Sequence, residues 1–373
     1  MSSPSASIKL PHRAETIGSL LRPTALKAAH KAWRDGAIAE AAYRRILADA
    51  IAGAVAMQEA LGLCTITDGE FRRASWFSAF FEALDGFDLK PSRFAFTDQD
   101  GHGHDWDTCH ACAPIRRKRG IATDEFSDLS RLTRRSIKIA LPSPSAFHFF
   151  RLDFCAEPSV YPDLDRFWND LVAVYRAEIA ALAALGARYI QLDEVPLALL
   201  CDPRLREQVR GLGADPDALV RHYVAATNRI LADRPAGLFV GMHLCRGNFR
   251  GRWMAEGGYA PVAEALFGTL AVDAFFLEYD SPRAGDFSPL AAMPADKAVV
   301  LGLISTKHAL LEDPDDIRRR IDEAGRLIPL ERLALSPQCG FASVAGGNPI
   351  SEAEQEAKLR LLVAVARQVW GEA

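Results

Sequence analysis

Four residues of this chain, His243, Cys245, Glu278 and Cys339, carry the donor atoms of a tetrahedral metal site. Each stands where an apolar, strand-like run stops: GLFVGMHLC at residues 237–245, VDAFFLE at 272–278 and LALSPQC at 333–339. His243 and Cys245 lie two apart, so on a strand their side chains share one face. Two thiolates, an imidazole and one carboxylate favour zinc over magnesium or calcium. A thiol bound to so electron-rich a site loses its proton at neutral pH and stays a capable nucleophile, which points to alkyl transfer to sulfur. Hydrolytic zinc sites more often use histidine- and carboxylate-rich sets that acidify water, and hydrolysis stays open. Taken alone, the pair also reads as a buried cysteine beside a hydrogen-bonded histidine.

Other candidates stand at similar places. IQLDEVP puts Asp193 and Glu194 at the end of one apolar run, and TDGEFRR puts Asp68 and Glu70 just after another. Carboxylates so placed can hold an amino group or relay protons; they can equally cap helices or pair with Arg72 and Arg73. In ETIGSLLRP, Gly18 permits close approach, and the backbone and hydroxyl of Ser19 could bind a carboxylate. GLISTKHALLED places Lys307 and His308 past a further run, where either could protonate a leaving group or simply face solvent. A second metal-like set, His102, His104, Cys109, His110 and Cys112, is expected on a polar loop without flanking strands, incidental to the chemistry or part of a lid. The basic run at residues 116–119 suits an anionic ligand, or is a solvated face.

These residues need elements that bring distant positions to one rim. Eight strand candidates can be marked, at 13–20, 62–67, 137–141, 187–192, 237–243, 272–278, 297–303 and 332–336. Helical periodicity covers 39–61, 165–185, 216–232, 314–327 and 351–370, and Asp-Pro pairs open the third and fourth of these. Alternation of this kind predicts an α/β fold, a (β/α)8 TIM barrel with its chemistry at the C-terminal strand ends. A doubly wound open sheet is the rival arrangement, but the first strand lacks a Gly-rich phosphate fingerprint. The expectation is one barrel domain over 1–373, with a loop insertion between the second and third strands at about 71–136.

Composition agrees with an ordinary enzyme-like chain. Apolar residues make up 49%, charged residues 25%, and the formal net charge is −4, so nothing points to nucleic acid. The N-terminal residues lack the apolar core of a signal peptide and no run reaches the length of a membrane span, which predicts a cytoplasmic protein. Seven scattered cysteines argue for reduced thiols rather than a disulfide framework.

Taken together, IGSLLRP, TDGEFRR, IQLDE, HLC, the strand ending in Glu278 and SPQCGF resemble the catalytic C-terminal domain of cobalamin-independent methionine synthase, in order over nearly the whole chain. The resemblance implies Zn2+ on His243, Cys245, Glu278 and Cys339, activating homocysteine for attack on a methyl donor that is usually a methylated folate. It implies that Ile17, Gly18 and Ser19 form the homocysteine-binding turn and that Glu70 and Asp193 hold the amino acid. Three features depart from the family. Lys307 stands where the family has its proton-donating histidine, with His308 next to it; LPSPSAF at 141–147 replaces the segment bearing a folate-stacking tryptophan; and the family's N-terminal barrel has no counterpart in this chain. The expected activity is zinc-dependent methyl transfer to homocysteine, from methylated folate or another carrier, by a protein that could form homo-oligomers. Zinc-dependent thiol alkylation of the epoxyalkane–coenzyme M transferase type is the alternative, with Arg72, Arg246 or the 116–119 run meeting a sulfonate or carboxylate. A non-catalytic zinc-binding barrel is a third reading.

Overall fold

The computed structural model describes residues 10–97 and 103–373. Seven parallel strands form one curled sheet in chain order: Thr65–Ile66, Ser136–Pro142, Tyr189–Glu194, Phe239–Leu244, Ala274–Glu278, Ala298–Ile304 and Leu333–Pro337. Helices Glu40–Leu61, Leu164–Ala184, Pro216–Leu231, Pro314–Gly325 and Glu352–Trp370 fall on the segments whose periodicity predicts them. The later strands are buried along almost their whole length, which explains why they read as continuous apolar runs rather than alternating ones. Asp215 and Asp313 cap their helices by accepting from the N–H groups of Asp217 and Asp315, with Pro at the first helical position. Among the described residues no helix is long and apolar enough to cross a membrane.

The segment expected as the first strand, 13–20, is reduced to a single parallel bridge between Ala14 and Leu335. Glu15 N–H donates to Leu335 O at 2.9 Å, and Leu335 N–H donates to Arg13 O at 2.9 Å. Toward residues 65–69 the join is made by Thr67 Oγ1 donating to Gly18 O at 2.7 Å and Leu20 N–H donating to Gly69 O at 3.0 Å. Gly18, at φ 143, turns the chain out of ladder geometry at this point. The second expected strand is also short, because Gly62 at φ 92 still belongs to the C-terminal cap of the preceding helix. The fold is α/β and TIM-barrel-like, with seven strands in the sheet.

Side chains fill the interior. Tyr189, Phe276, Val300 and several alanines pack there, and a Cβ at Gly241 would stand 2.6 Å from the Phe276 ring, so that position has room only for glycine. A fully buried ion pair lies within the same layer: Lys138 Nζ is 3.1 Å from Glu15 Oε2 and 4.6 Å from the Phe276 ring centroid.

The described residues between Thr65–Ile66 and Ser136–Pro142 form more regular structure than a loop insertion implies. Helix Ser78–Glu82 leads into strand Leu84–Pro91, which pairs antiparallel with Asp107–Arg117; helix Thr123–Leu132 follows. Cys109, His110 and Cys112 therefore lie on a strand, a correction to the expectation of a loop without strands. They alternate between its faces, so Cys109 is buried and Cys112 exposed, while His110 Nδ1 lies 2.8 Å from Asp88 Oδ1. His102 lies outside the described residues. In the basic run, Arg117 pairs with the buried Glu178 at 2.7 Å and Lys118 with Asp85 at 3.1 Å.

Candidate functional site

Parallel register aligns the C-terminal strand ends, and that alignment assembles the site. Asp193 lies beside His243, and Glu278 beside Gly302. Cys245 follows its strand directly and Cys339 follows two residues after Pro337. The donor atoms of His243, Cys245, Glu278 and Cys339 all lie within 4.8 Å of one another, and all four residues are buried. Cys245 Sγ and Cys339 Sγ are 3.5 Å apart, in contact but unbonded. Neither ring nitrogen of His243 has a hydrogen-bond partner among the described residues, and Glu278 Oε2 likewise has none. Glu278 Oε1 accepts from Arg246 N–H at 3.0 Å. Buried ring nitrogens without hydrogen-bond partners, beside two thiols and a carboxylate oxygen whose charged neighbour Arg283 Nη2 lies 3.8 Å away, are groups a metal ion could satisfy.

Electrostatics of the cluster favour a cation. Contact with Cys245 holds the Cys339 thiol well below the usual range against the opposing effect of burial, with His243 and Lys307 assisting. Cys245, sharing that contact and equally buried, is pushed well up. Burial likewise raises Glu278, although Lys307 opposes it.

The carboxylates expected to meet substrate stand nearby. Glu70 occupies a left-handed backbone position, φ 58, in a turn held by Asp68, whose Oδ1 accepts the Glu70 N–H at 2.7 Å. Arg22 donates to Glu70 O at 2.9 Å, and Arg73 Nη1 lies 3.5 Å from Glu70 Oε1. Burial pushes the Glu70 carboxyl up to about 8; Arg73 opposes this, and Asp193 adds to it. Burial also raises Asp193, against His243. Gln191 Nε2 donates both to Asp193 Oδ1 and to Ile17 O, each at 2.7 Å, tying the N-terminal turn to strand Tyr189–Glu194. Gly18 has no room for a side chain: a Cβ there would lie 2.8 Å from Glu70 Oε1. Ser19 Oγ accepts from Ala342 N–H at 3.3 Å, in the loop that follows Cys339.

A cavity of about 240 Å³ joins these groups; Ile17, Ser19, Glu70, Asp193, His243, Cys245 and Cys339 line it. Gly18 and Glu278 are not among its lining residues. Lys307 is partly buried and donates to Gly247 O at 3.4 Å without lining the cavity, whereas His308 is exposed. Glu194 faces elsewhere: it accepts from Ser145 Oγ at 2.7 Å and from Leu197 N–H at 2.9 Å, and burial raises it to about 7. Arg72 and Arg246 are not free to receive an anion. Arg72 pairs with Asp68 and Asp128, while Arg246 is fully buried and donates to Gly257 O and Tyr259 Oη. Sequence reasoning passed over the rings of Trp76, Phe77, Trp106 and Phe150, which also line the cavity. The aromatic density of SWFSAFF is visible in the sequence, but which rings turn inward depends on the fold of the inserted segment.

Comparison with known proteins agrees with this geometry. The family model described as the catalytic domain of cobalamin-independent synthase matches residues 13–368. The uncharacterized protein YxjH of Bacillus subtilis (strain 168) is 38% identical over 369 residues, 97% of this chain and 96% of the relative. The 5-methyltetrahydropteroyltriglutamate–homocysteine methyltransferase of Rhodococcus jostii (strain RHA1) is 27% identical over 365 residues; the match takes in 96% of this chain but 43% of that protein. A crystal structure of a candidate vitamin-B12 independent methionine synthase from Listeria monocytogenes superimposes with a TM-score of 0.76 at 33% identity, covering 98% of this chain and 100% of that one. The fold is also that of a B12-independent methionine synthase from Shewanella sp. W3-18-1, with a TM-score of 0.71 at 19% identity over 97% of this chain and 98% of that one. By sequence and by structure, the chain belongs to the cobalamin-independent methionine synthase family, matching its catalytic domain.

Proposed function

We propose that the chain is a zinc-dependent S-methyltransferase that converts homocysteine to methionine. The observation that carries this reading is the buried cluster of four donor residues opening onto the same cavity as the Glu70 and Asp193 carboxylates. His243, Cys245, Glu278 and Cys339 would hold the ion, and two sulfurs 3.5 Å apart beside an imidazole and a carboxylate are a donor set that suits zinc. Zinc, when bound, lowers the pKa of a coordinating thiol, so that the nucleophilic thiolate exists at neutral pH.

The remaining work falls to the chain. Glu70 and Asp193, two buried carboxyls with raised pKa values, gain most from a cation between them, and the substrate α-ammonium supplies one. Ile17, Gly18 and Ser19 offer backbone and hydroxyl groups to the α-carboxylate. Anchored at both ends, the amino acid points its thiol toward the cysteines. Of the two expected acids, His308 faces solvent and Lys307 donates to Gly247 O, and neither lines the cavity. A thiol carrying a sulfonate finds no arginine or lysine among the described residues lining the cavity, which favours homocysteine over coenzyme M.

Zinc analysis and a cobalt-substituted sample test the reading together. The expected results are near-stoichiometric zinc in the wild type, loss of most of it in Cys339→Ser, and a shift of cobalt absorption on adding homocysteine. Full zinc retention in Cys339→Ser, or a spectrum indifferent to homocysteine, would overturn it.

A further inference from the structure

The cavity has a wall that the polar groups of homocysteine leave unused. Trp76, Phe77, Trp106 and Phe150 line it, and neighbouring rings meet at steep angles: Trp76 and Phe77 at 5.4 Å and 71°, Phe77 and Trp106 at 6.3 Å and 64°, Trp106 and Phe150 at 4.7 Å and 77°. Rings so turned make a corner, and none of these pairs forms a parallel slot for a flat heteroaromatic system. The corner is held in place. Trp76 N–H donates to Ser343 O at 2.9 Å, Trp106 Nε1 donates to Phe94 O at 2.9 Å, and Phe150 is buried.

Charge completes the picture. Among the described residues the lining includes the carboxylates of Glu70, Asp107 and Asp193 and no lysine or arginine, with Asp107 on the exposed rim. Aromatic faces beside carboxylates attract a compact, weakly hydrated cation. Once Glu70 and Asp193 are engaged by the substrate ammonium, no acid on the described wall is left to protonate a leaving group, since neither Lys307 nor His308 lines the cavity.

We infer that the methyl donor is a compact methylated onium, a sulfonium or quaternary ammonium, seated against Trp76, Phe77, Trp106 and Phe150 with Asp107 at the rim. This rests on the thiol-methylation reading above and names the donor class for it. The thiolate sulfur attacks the methyl carbon; the new sulfur–carbon bond forms as the methyl–onium bond breaks, and that bonding pair stays on the donor atom, which leaves neutral. The thiol proton has already passed to solvent, so an anion and a cation become two neutral groups and no general acid is required.

The test gives the full-length, zinc-loaded chain homocysteine and one CD3-labelled donor at a time: S-methylmethionine, glycine betaine, methyltetrahydrofolate triglutamate or methylcobalamin. Labelled methionine is counted by mass spectrometry. One or both onium donors should be turned over at least about tenfold faster than the other two, and Trp106→Ala should raise their KM about tenfold while Trp106→Phe restores most of it. As a binding readout, trimethylsulfonium should quench tryptophan fluorescence where the neutral isostere tert-butanol does not. Turnover from the folate or the corrinoid alone, or equal quenching by the isostere, would overturn the inference. The cobalt spectrum separates the two levels: a homocysteine shift without onium turnover removes only the donor class, and no shift removes both readings.

Discussion

Glu70 concentrates the demands of the site in one residue. Its left-handed backbone costs of order 1–3 kcal/mol, and the turn that imposes it is tied down by Asp68, Arg22 and Arg73. Its carboxyl, ordinarily near 4.5, is raised to about 8, so below that pH it keeps a proton that the substrate ammonium must displace. The KM for homocysteine should therefore fall as pH rises toward 8, and Glu70→Gln should raise KM and flatten that dependence; an unchanged pH profile in the variant would remove Glu70 from the site. Linkage gives the same residue a second signature. A carboxyl with a raised pKa stabilises the substrate-free fold fully below 4.5, and that contribution is lost as pH rises through about 8. Melting temperature should decline across that window in the wild type and decline less in Glu70→Gln, as read by scanning fluorimetry. Asp68 and Glu70 are two apart in one motif and both are carboxylic residues, yet only the fold makes one a tether and the other a cavity wall.

At the scale of elements, the turn after the last strand positions both Cys339 and Ser19, the serine proposed to bind substrate. Gly340 follows Cys339, and a Cβ on it would stand 2.0 Å from Ser19 Oγ. Gly340→Ala should displace Ser19 while leaving the cysteine on its strand end. The expected outcome is a KM for homocysteine raised about tenfold, the loss of one charge-assisted hydrogen bond, with zinc content unchanged. Loss of zinc in that variant would mean that the turn, rather than Ser19, carries the effect. Five long helices were legible to within a few residues, because Asp-Pro caps and apolar periodicity are local signals, whereas Thr24–Arg34, Thr123–Leu132, Pro203–Gly211 and Ala260–Phe267 were not marked. The first stave was less legible: RAETIGSL has the composition of a strand, but the turn at Gly18 leaves it one bridge, at Ala14.

Across the whole molecule, the barrel carries a buried charge pair below the chemistry. Lys138 and Glu15 are both fully enclosed, and burial lowers the Lys138 pKa against the pull of Glu15. Lys138→Met should cost about 3–5 kcal/mol in urea unfolding by stranding Glu15, and Glu15→Gln in the same chain should recover most of it. Additive losses in the double variant would show that the two side chains act independently. Metal removal acts on the same scale, since the ligands come from three strand ends. Chelation should lower the melting temperature of the wild type and leave Cys339→Ser almost unaffected.

Residue types and local pattern were enough to mark the candidate ligands and the apolar runs that carry them. His243, Cys245, Glu278 and Cys339 each end an apolar run, and a parallel barrel brings such ends to one rim because neighbouring strands run the same way. Only the tertiary structure decided what those residues face. It turned Glu194 onto Ser145, left His308 in solvent, enclosed Arg246 and brought Trp76 and Trp106 from the inserted segment into the cavity that His243, Cys245 and Cys339 line. The physical reason is that spacing along a strand or helix sets which side chains share a face, whereas an inserted segment is oriented by long-range packing that no local pattern records.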